Sequence, residues 1–403
     1  MPQGVPYWRL SAFYLFFFAI LGALAPYWGP YLRSLGFDAA QIGQLVAVLH
    51  ATKIIAPNLW GWIADHTGRG MAIVRLATAL AMLVFAGVLW ARGFWAMAAL
   101  MAGFSFFWNA ALPQFEANTM NHLGGASHRY SRIRLWGSVG FIVTVTGLGE
   151  LIDRLGVEVV PYAVLALFAC LGASSLLAPT AARPRPPQGQ ARFRWVLARP
   201  EVLSFFAVCF LLQASHGPFY AFYSIYLQDH GYSGALIGAL WALGVVAEIL
   251  VFLRIHRWLP RFGPRRLIAG ALGLAVARWL LVGALPEYWP VQALAQLLHA
   301  ATFGVYHAVA IALVNRFFVG SHQGRGQALY SSLTFGAGVA AGSLASGLLW
   351  ELVGAEVIWY LAAGVAACGI PLALRGVPRE HRAPDPTGEP AADADGRPQA
   401  SLE

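Results

Sequence analysis

The sequence predicts an all-α membrane protein of twelve transmembrane helices arranged as two six-helix pseudo-repeats. Three observations carry that reading. First, 58% of the 403 residues are hydrophobic and only 11% charged, with mean hydropathy +0.60. A soluble domain carries about 25% charged residues, so soluble, disordered and fibrous classes are excluded. Second, the apolar stretches are long enough for helices to cross about 30 Å of hydrocarbon, and they lack the alternation of barrel strands. Third, the two halves of the chain align on one another at a fixed offset.

The expected spans lie near 9–32, 40–64, 71–91, 94–119, 133–152, 161–179, 201–227, 234–256, 267–285, 290–315, 327–349 and 356–375. Ala23-Leu24-Ala25 resembles a signal-peptidase site, but Pro26 follows it and the apolar run continues to Leu32, so the first span is read as uncleaved. The implied organisation is a first bundle over 1–179, a Pro/Arg-rich linker over 180–200, a second bundle over 201–375 and a disordered tail over 376–403.

Basic residues set the expected orientation. Of 27 Lys and Arg, all but Lys53 are Arg. With the N-terminus inside, 22 fall in inner loops and tails, some of them, Arg134 included, a turn inside the membrane boundary; three (Arg33, Arg92, Arg154) fall in outer loops, and Lys53 and Arg278 mid-span. Both termini are therefore expected in the cytoplasm and the chain in a bacterial inner membrane. A net charge of +9 dispersed over loops does not describe a nucleic-acid patch. Cys170, Cys209 and Cys368 all sit in apolar runs, giving no disulfide framework and no metal cluster.

An offset of 195 places Tyr31-Leu32 on Tyr226-Leu227, Ile42-Gly43 on Ile237-Gly238, and Gly68 on Gly263; 194 places Leu135, Ser138 and Phe141 on Leu329, Ser332 and Phe335. Six spans per repeat give both halves the same topology, a parallel repeat about an axis along the membrane normal. Two such bundles can rock about a midplane site.

The loop Gly61-Trp62-Ile63-Ala64-Asp65-His66-Thr67-Gly68-Arg69-Gly70 resembles the second-loop signature of the major facilitator superfamily, with His66 and Gly70 where basic residues are usual. The resemblance implies a conformational latch formed by Gly61, Asp65, Gly68 and Arg69. The stretch Tyr130-Ser131-Arg132-Ile133-Arg134-Leu135-Trp136-Gly137-Ser138-Val139-Gly140-Phe141 looks like the fifth span of the lactose permease and phenylpropionate permease branches. That likeness implies a substrate-binding Arg134, an aromatic Phe141 stacking on the substrate and an acidic partner Glu116. It also implies site roles for Glu248, Arg278 and His299. The stretch Gly324 to Ser332 is closer to the phenylpropionate branch. One departure is Thr302, which stands where the lactose permease pattern has its proton-carrying glutamate.

A charge at the bilayer centre costs at least ~2.5 kcal/mol on insertion scales, so Lys53, Glu116, Arg134, Glu248 and Arg278 each need a partner or a role. Structural ion pairs are one reading; a substrate site is the other. The repeat offset places Lys53 on Glu248, giving opposite charges at equivalent positions. Three cations against two carboxylates lean toward an anionic substrate, which a guanidinium can grip bidentately. Glu116, Glu248 and His299 are the expected proton carriers.

The implied function is proton-coupled symport of a small organic solute, an aromatic carboxylate such as a phenylpropionate-like acid, by alternating access. Alternatives are an oligosaccharide or nucleoside symporter, or an exporter, of the same fold. The expected partners are a small-molecule substrate, protons and the lipid bilayer, with a monomeric chain and no cofactor. His-Glu-x-x-His, Gly-x-Ser-x-Gly and paired intramembrane aspartates are absent from the sequence, so an intramembrane enzyme is not expected.

Overall fold

A computed structural model of the protein describes residues 5–181 and 193–379. It contains twelve spanning helices: α1 (Tyr7–Ser34), α2 (Ala39–Thr67), α3 (Gly70–Trp90), α4 (Phe94–Leu123), α5 (Tyr130–Leu155), α6 (Val159–Leu177), α7 (Pro200–Asp229), α8 (Gly234–Phe252), α9 (Ile255–Ala284), α10 (Trp289–Phe317), α11 (Gln323–Val353) and α12 (Ala355–Gly376). Most of the expected linker and tail (182–192 and 380–403) lies outside the described residues; Phe193–Leu197 forms one short helical turn ahead of α7.

Each half repeats one packing scheme. Helix α1 lies along α5 and α6 as α7 lies along α11 and α12, and α3 packs on α6 as α9 packs on α12. The halves meet along α2 with α11 and along α5 with α8. Large apolar side chains such as Leu83, Trp90, Trp95, Leu176 and Leu352 face outward and are exposed. Such a surface would aggregate in water and is stable only against lipid.

Several helices run longer than the expected spans because the hydrophobic count marks only the hydrocarbon, while the helices project beyond it. Local chemistry sets their ends. Asp38 and Gln41 form a reciprocal capping box at the start of α2, and Gly68, with φ +67°, ends it. Helix α7 breaks at His216, just before Pro218, whose ring cannot donate a backbone hydrogen bond. Helices α10 and α11 each widen into a π-helical turn, Ala300–Val305 and Ser332–Gly338. The expected 234–256 span ends early at Phe252, and a separate helical segment begins at Ile255.

At the end opposite the termini the halves are joined. Arg33 Nη1 meets Asp229 Oδ1 at 2.5 Å, and Arg33 Nη2 donates to Gln228 Oε1 at 3.0 Å. Asp153 of α5 accepts the first backbone N–H groups of α8, from Gly234 at 2.6 Å and Ala235 at 2.8 Å. The Tyr27 hydroxyl lies 2.7 Å from Val145 O and 3.3 Å from Gly234 O. A Cβ on Gly43 would collide with Gly347 Cα, so α2 and α11 touch backbone to backbone there.

Candidate functional site

Charged residues in the first half gather between α1, α4 and α5. Arg134, on the second turn of α5, lies with its guanidinium carbon 3.7 Å from the centroid of the Phe18 ring and 5.8 Å from that of Tyr14. One turn later, Gly137 makes room for this stack: a Cβ there would meet both Arg134 Nη1 and the Phe18 ring. Glu116 accepts a hydrogen bond from the Tyr130 hydroxyl at 3.1 Å. Arg134 acts on Glu116 electrostatically from beyond ion-pair contact. Among the described residues Arg134 has no carboxylate within ion-pair distance. Phe141 is buried two turns further along α5, its backbone against Gly22.

From the second half, Glu248 of α8 faces this cluster. Its stem packs over Gly304 in the π-helical turn of α10, and Arg134 is within electrostatic range of it across the seam. His307, also within range of Arg134, lies 3.1 Å through Nδ1 from the Tyr330 hydroxyl and stacks on Phe303. Arg134, Glu116, Glu248, His307 and Lys53 are all half-buried. Lys53 lies on α2 beside the widened turn of α11, where Ser332 Oγ approaches the Lys53 and Ile54 carbonyls at 3.5 and 3.3 Å. His50, one turn earlier, contacts Phe335 O at 3.1 Å, a carbonyl within that widened turn.

Arg278 is set apart from these residues. It is 0% exposed, wedged between the Phe219 and Trp279 rings with 4.4 Å to each centroid. Its Nη1 reaches His299 Nδ1 at 3.0 Å, Thr302 Oγ1 at 3.2 Å and His216 Nε2 at 3.3 Å, and Nη2 donates to Gln296 Oε1 at 3.4 Å. His216 Nδ1 lies 2.8 Å from Leu212 O, a bond that holds the proton on Nδ1 and leaves Nε2 as acceptor. The charge is therefore solvated by neutral groups, and Thr302 occupies the place where a carboxylate would have neutralised it.

The structure thus brings Arg134, Glu116 and Glu248 into one electrostatic cluster, groups His299 with Arg278, and places Phe141 deeper in the bundle. Tyr27 and Tyr31 lie toward the joined end, Trp108 stacks on Phe17, and Tyr223 donates to Gln292. The loop residues sit at the far end: Gly61 faces the Gln114 side chain, Asp65 is exposed at the end of α2, Gly68 N–H closes on Ala64 O at 2.9 Å, and Arg69 precedes α3. Phe18, Tyr130 and Gln296 were not singled out as site residues by the sequence.

Twelve apolar helices in two like-folded halves, with charged residues held between helices of both, define a multi-pass membrane transporter. A family model, the MFS_1 like family, matches residues 7–361, and the chain belongs to that family. The chain is 30% identical over 378 residues to a protein of Escherichia coli (strain K12) described as a probable 3-phenylpropionic acid transporter, covering 88% of this chain and 94% of that one. It is 29% identical over 362 residues to a maltose permease of Geobacillus stearothermophilus, covering 85% and 88%. A solved structure of a mutant nucleoside transporter NupG superposes with TM-score 0.79 at 18% identity, over 91% of this chain and 98% of that one. The chain acts on small molecules in a bilayer and is a permease, not an enzyme.

Proposed function

We propose that this protein carries a small organic carboxylate, of the phenylpropionate type, together with protons across a bacterial inner membrane by alternating access. The observation that carries the reading is the Arg134 guanidinium, half-buried, stacked on Phe18 and without a carboxylate partner among the described residues. A substrate carboxylate can take that guanidinium bidentately while its ring lies against Phe18. The similarity to a probable 3-phenylpropionic acid transporter supports the same class.

Glu116 and Glu248 are the proton carriers in this reading, because both face Arg134 and their charge balance changes when substrate occupies it. His299 was the third expected carrier, but its Nδ1 is engaged by Arg278, which favours a fixed acceptor role. Lys53 and Arg278 keep the midplane net positive. The two bundles, 1–179 and 201–375, act as rocking bodies joined by the 180–200 segment, with the loop Gly61, Asp65, Gly68 and Arg69 latching the cytoplasmic end and the chain working as a monomer. The end opposite the termini is the one sealed here.

A second reading, a sugar or nucleoside carrier, draws on the maltose permease and the NupG fold. Uptake into proteoliposomes of labelled 3-phenylpropionate, maltose and uridine, with and without an inward proton gradient, separates them. The expected outcome is gradient-driven uptake of the acid alone; uptake of maltose or uridine but not the acid overturns the first reading.

A further inference from the structure

The corner between α8 and α9 has a structure that a simple loop does not need. The chain leaves α8 at Phe252 and forms a two-turn helix from Ile255 to Phe262. It then breaks at Gly263, whose φ of +72° separates this helix from the spanning part of α9. A side chain at Gly263 would also strike the Arg379 carbonyl, so both backbone and space call for glycine. Within the short helix Ile255, Trp258, Leu259 and Phe262 recur at helical spacing and make one apolar stripe, while His256, Arg257 and Arg261 occupy the other side. Leu259 is buried and Ile255 and Trp258 pack against the core, so the stripe docks the helix along the bundle and leaves Arg257 and Arg261 outward.

The charge around it is one-sided. Arg254, Arg257, Arg261 and Arg266 are all exposed, and the chain holds no Asp or Glu between Glu248 and Glu287. Arg265 ties the corner to the end of α12, donating through Nε to Val377 O at 2.5 Å, which brings Arg375 and Arg379 to the same side. Beside the helix runs a groove of about 310 Å³, lined by Leu250, Val251, Leu253 and Trp258 with Arg254 at its rim. Leu250 and Leu253 are 60% and 63% exposed, so the groove opens on the outer, lipid-facing surface of the bundle.

We propose that this corner is a binding site for an anionic phospholipid, with Arg254, Arg257 and Arg261 holding the headgroup phosphate and the groove taking an acyl chain. The groove decides the occupant: a free phosphate would use the arginines and leave the apolar channel bare, whereas a lipid engages both. The matching corner between α2 and α3 has no such helix, turning within Gly68-Arg69, and carries the acidic Asp65. A general excess of positive charge on one membrane face does not account for that difference.

The test is binding to the delipidated full-length protein in detergent, read by native mass spectrometry with added phosphatidylglycerol, phosphatidylcholine or glycerol 1-phosphate. Phosphatidylglycerol is expected to bind at least about tenfold more tightly than phosphatidylcholine, and Arg254→Gln/Arg257→Gln/Arg261→Gln to remove that preference. The Arg→Lys triple variant keeps most of it. If the glutamine triple fails to fold, Arg257→Gln alone is expected to weaken phosphatidylglycerol binding about threefold. Arg69→Gln/Arg129→Gln, at the corresponding end of the first half, leaves binding unchanged. The proposal is overturned if the glutamine variants retain the preference, if the control pair lowers it equally, or if glycerol 1-phosphate competes as well as the intact lipid.

Discussion

The guanidinium of Arg278 lies 3.0 Å, through Nη1, from Nδ1 of His299, with no carboxylate within ion-pair distance among the described residues. An isolated buried ion carries a penalty of several kcal/mol unless hydrogen bonds and dipoles replace its water. Here two imidazoles, a threonine and a glutamine serve its Nη groups and two aromatic faces flank it, while its buried Nε has no hydrogen-bond partner. A proton added to His299 Nδ1 would set a second cation against the guanidinium and remove the lone pair it uses.

Removing that acceptor should destabilise the fold more than a surface change would. His299→Leu is expected to lower stability by about 2 kcal/mol, the cost of leaving a buried charged donor short of a partner. His299→Gln, which can return a carbonyl oxygen, recovers most of it. Thermal unfolding of the detergent-purified protein, followed by tryptophan fluorescence, reads both; equal losses for the two variants contradict the acceptor role.

Substrate affinity should depend on Arg134 and on the space beside it. Arg134→Ala is expected to weaken binding of 3-phenylpropionate about tenfold to a hundredfold, since hydrogen bonds to a charged group are worth roughly 1.5–3 kcal/mol. Gly137→Ala, whose methyl meets both Arg134 Nη1 and the Phe18 ring, is expected to displace the guanidinium and weaken binding by a smaller factor. Isothermal titration in nanodiscs measures both, and wild-type affinity in Arg134→Ala refutes the assignment.

Coupling should be separable from transport at Glu248. In Glu248→Gln the carboxylate that faces Arg134 across the seam can no longer exchange a proton. Net uptake driven by a proton gradient is expected to fall about a hundredfold, the lower end of what one positioned proton-transfer group contributes. Exchange of internal for external substrate persists. Loss of both activities together would place Glu248 in binding instead.

The seal opposite the termini should loosen when Asp153 is lost. Its carboxylate accepts two backbone N–H groups at the start of α8 from across the seam, a cap worth about 1 kcal/mol. Asp153→Ala is expected to raise the population of conformers open at that end about fivefold. Arg33→Gln should change it little, because the exposed Arg33–Asp229 pair is the weaker kind of contact. Electron–electron distance measurements between spin labels on Leu35→Cys and His230→Cys, with the three native cysteines replaced, test the order.

The architecture was legible because a membrane span is specified by length and apolarity alone, and the repeat by glycines kept in register. The helix after α8 reads as part of a loop in the sequence, since between the expected spans 234–256 and 267–285 it is only two turns long and too short to register as a span. Arg134 could be singled out because the stretch Tyr130 to Phe141 resembles a fifth span that carries a substrate-binding arginine at that place. Its ring partner could not, since Phe16, Phe17 and Phe18 point about 100° apart and only the packing of α1 on α5 decides which of them meets it. Arg278 was visible as a mid-span charge, but its neutral surroundings assemble from α7, α9 and α10 and have no local signature.

The Tyr27 hydroxyl has one proton and two claimants, Val145 O in its own half and Gly234 O in the other. The shorter bond is the internal one, at 2.7 Å against 3.3 Å. In the alternating-access reading the phenol keeps its Val145 partner when the halves part, and the hydroxyl is not left unpaired. At this contact, parting the halves would cost the longer bond to Gly234 O and leave the shorter one in place.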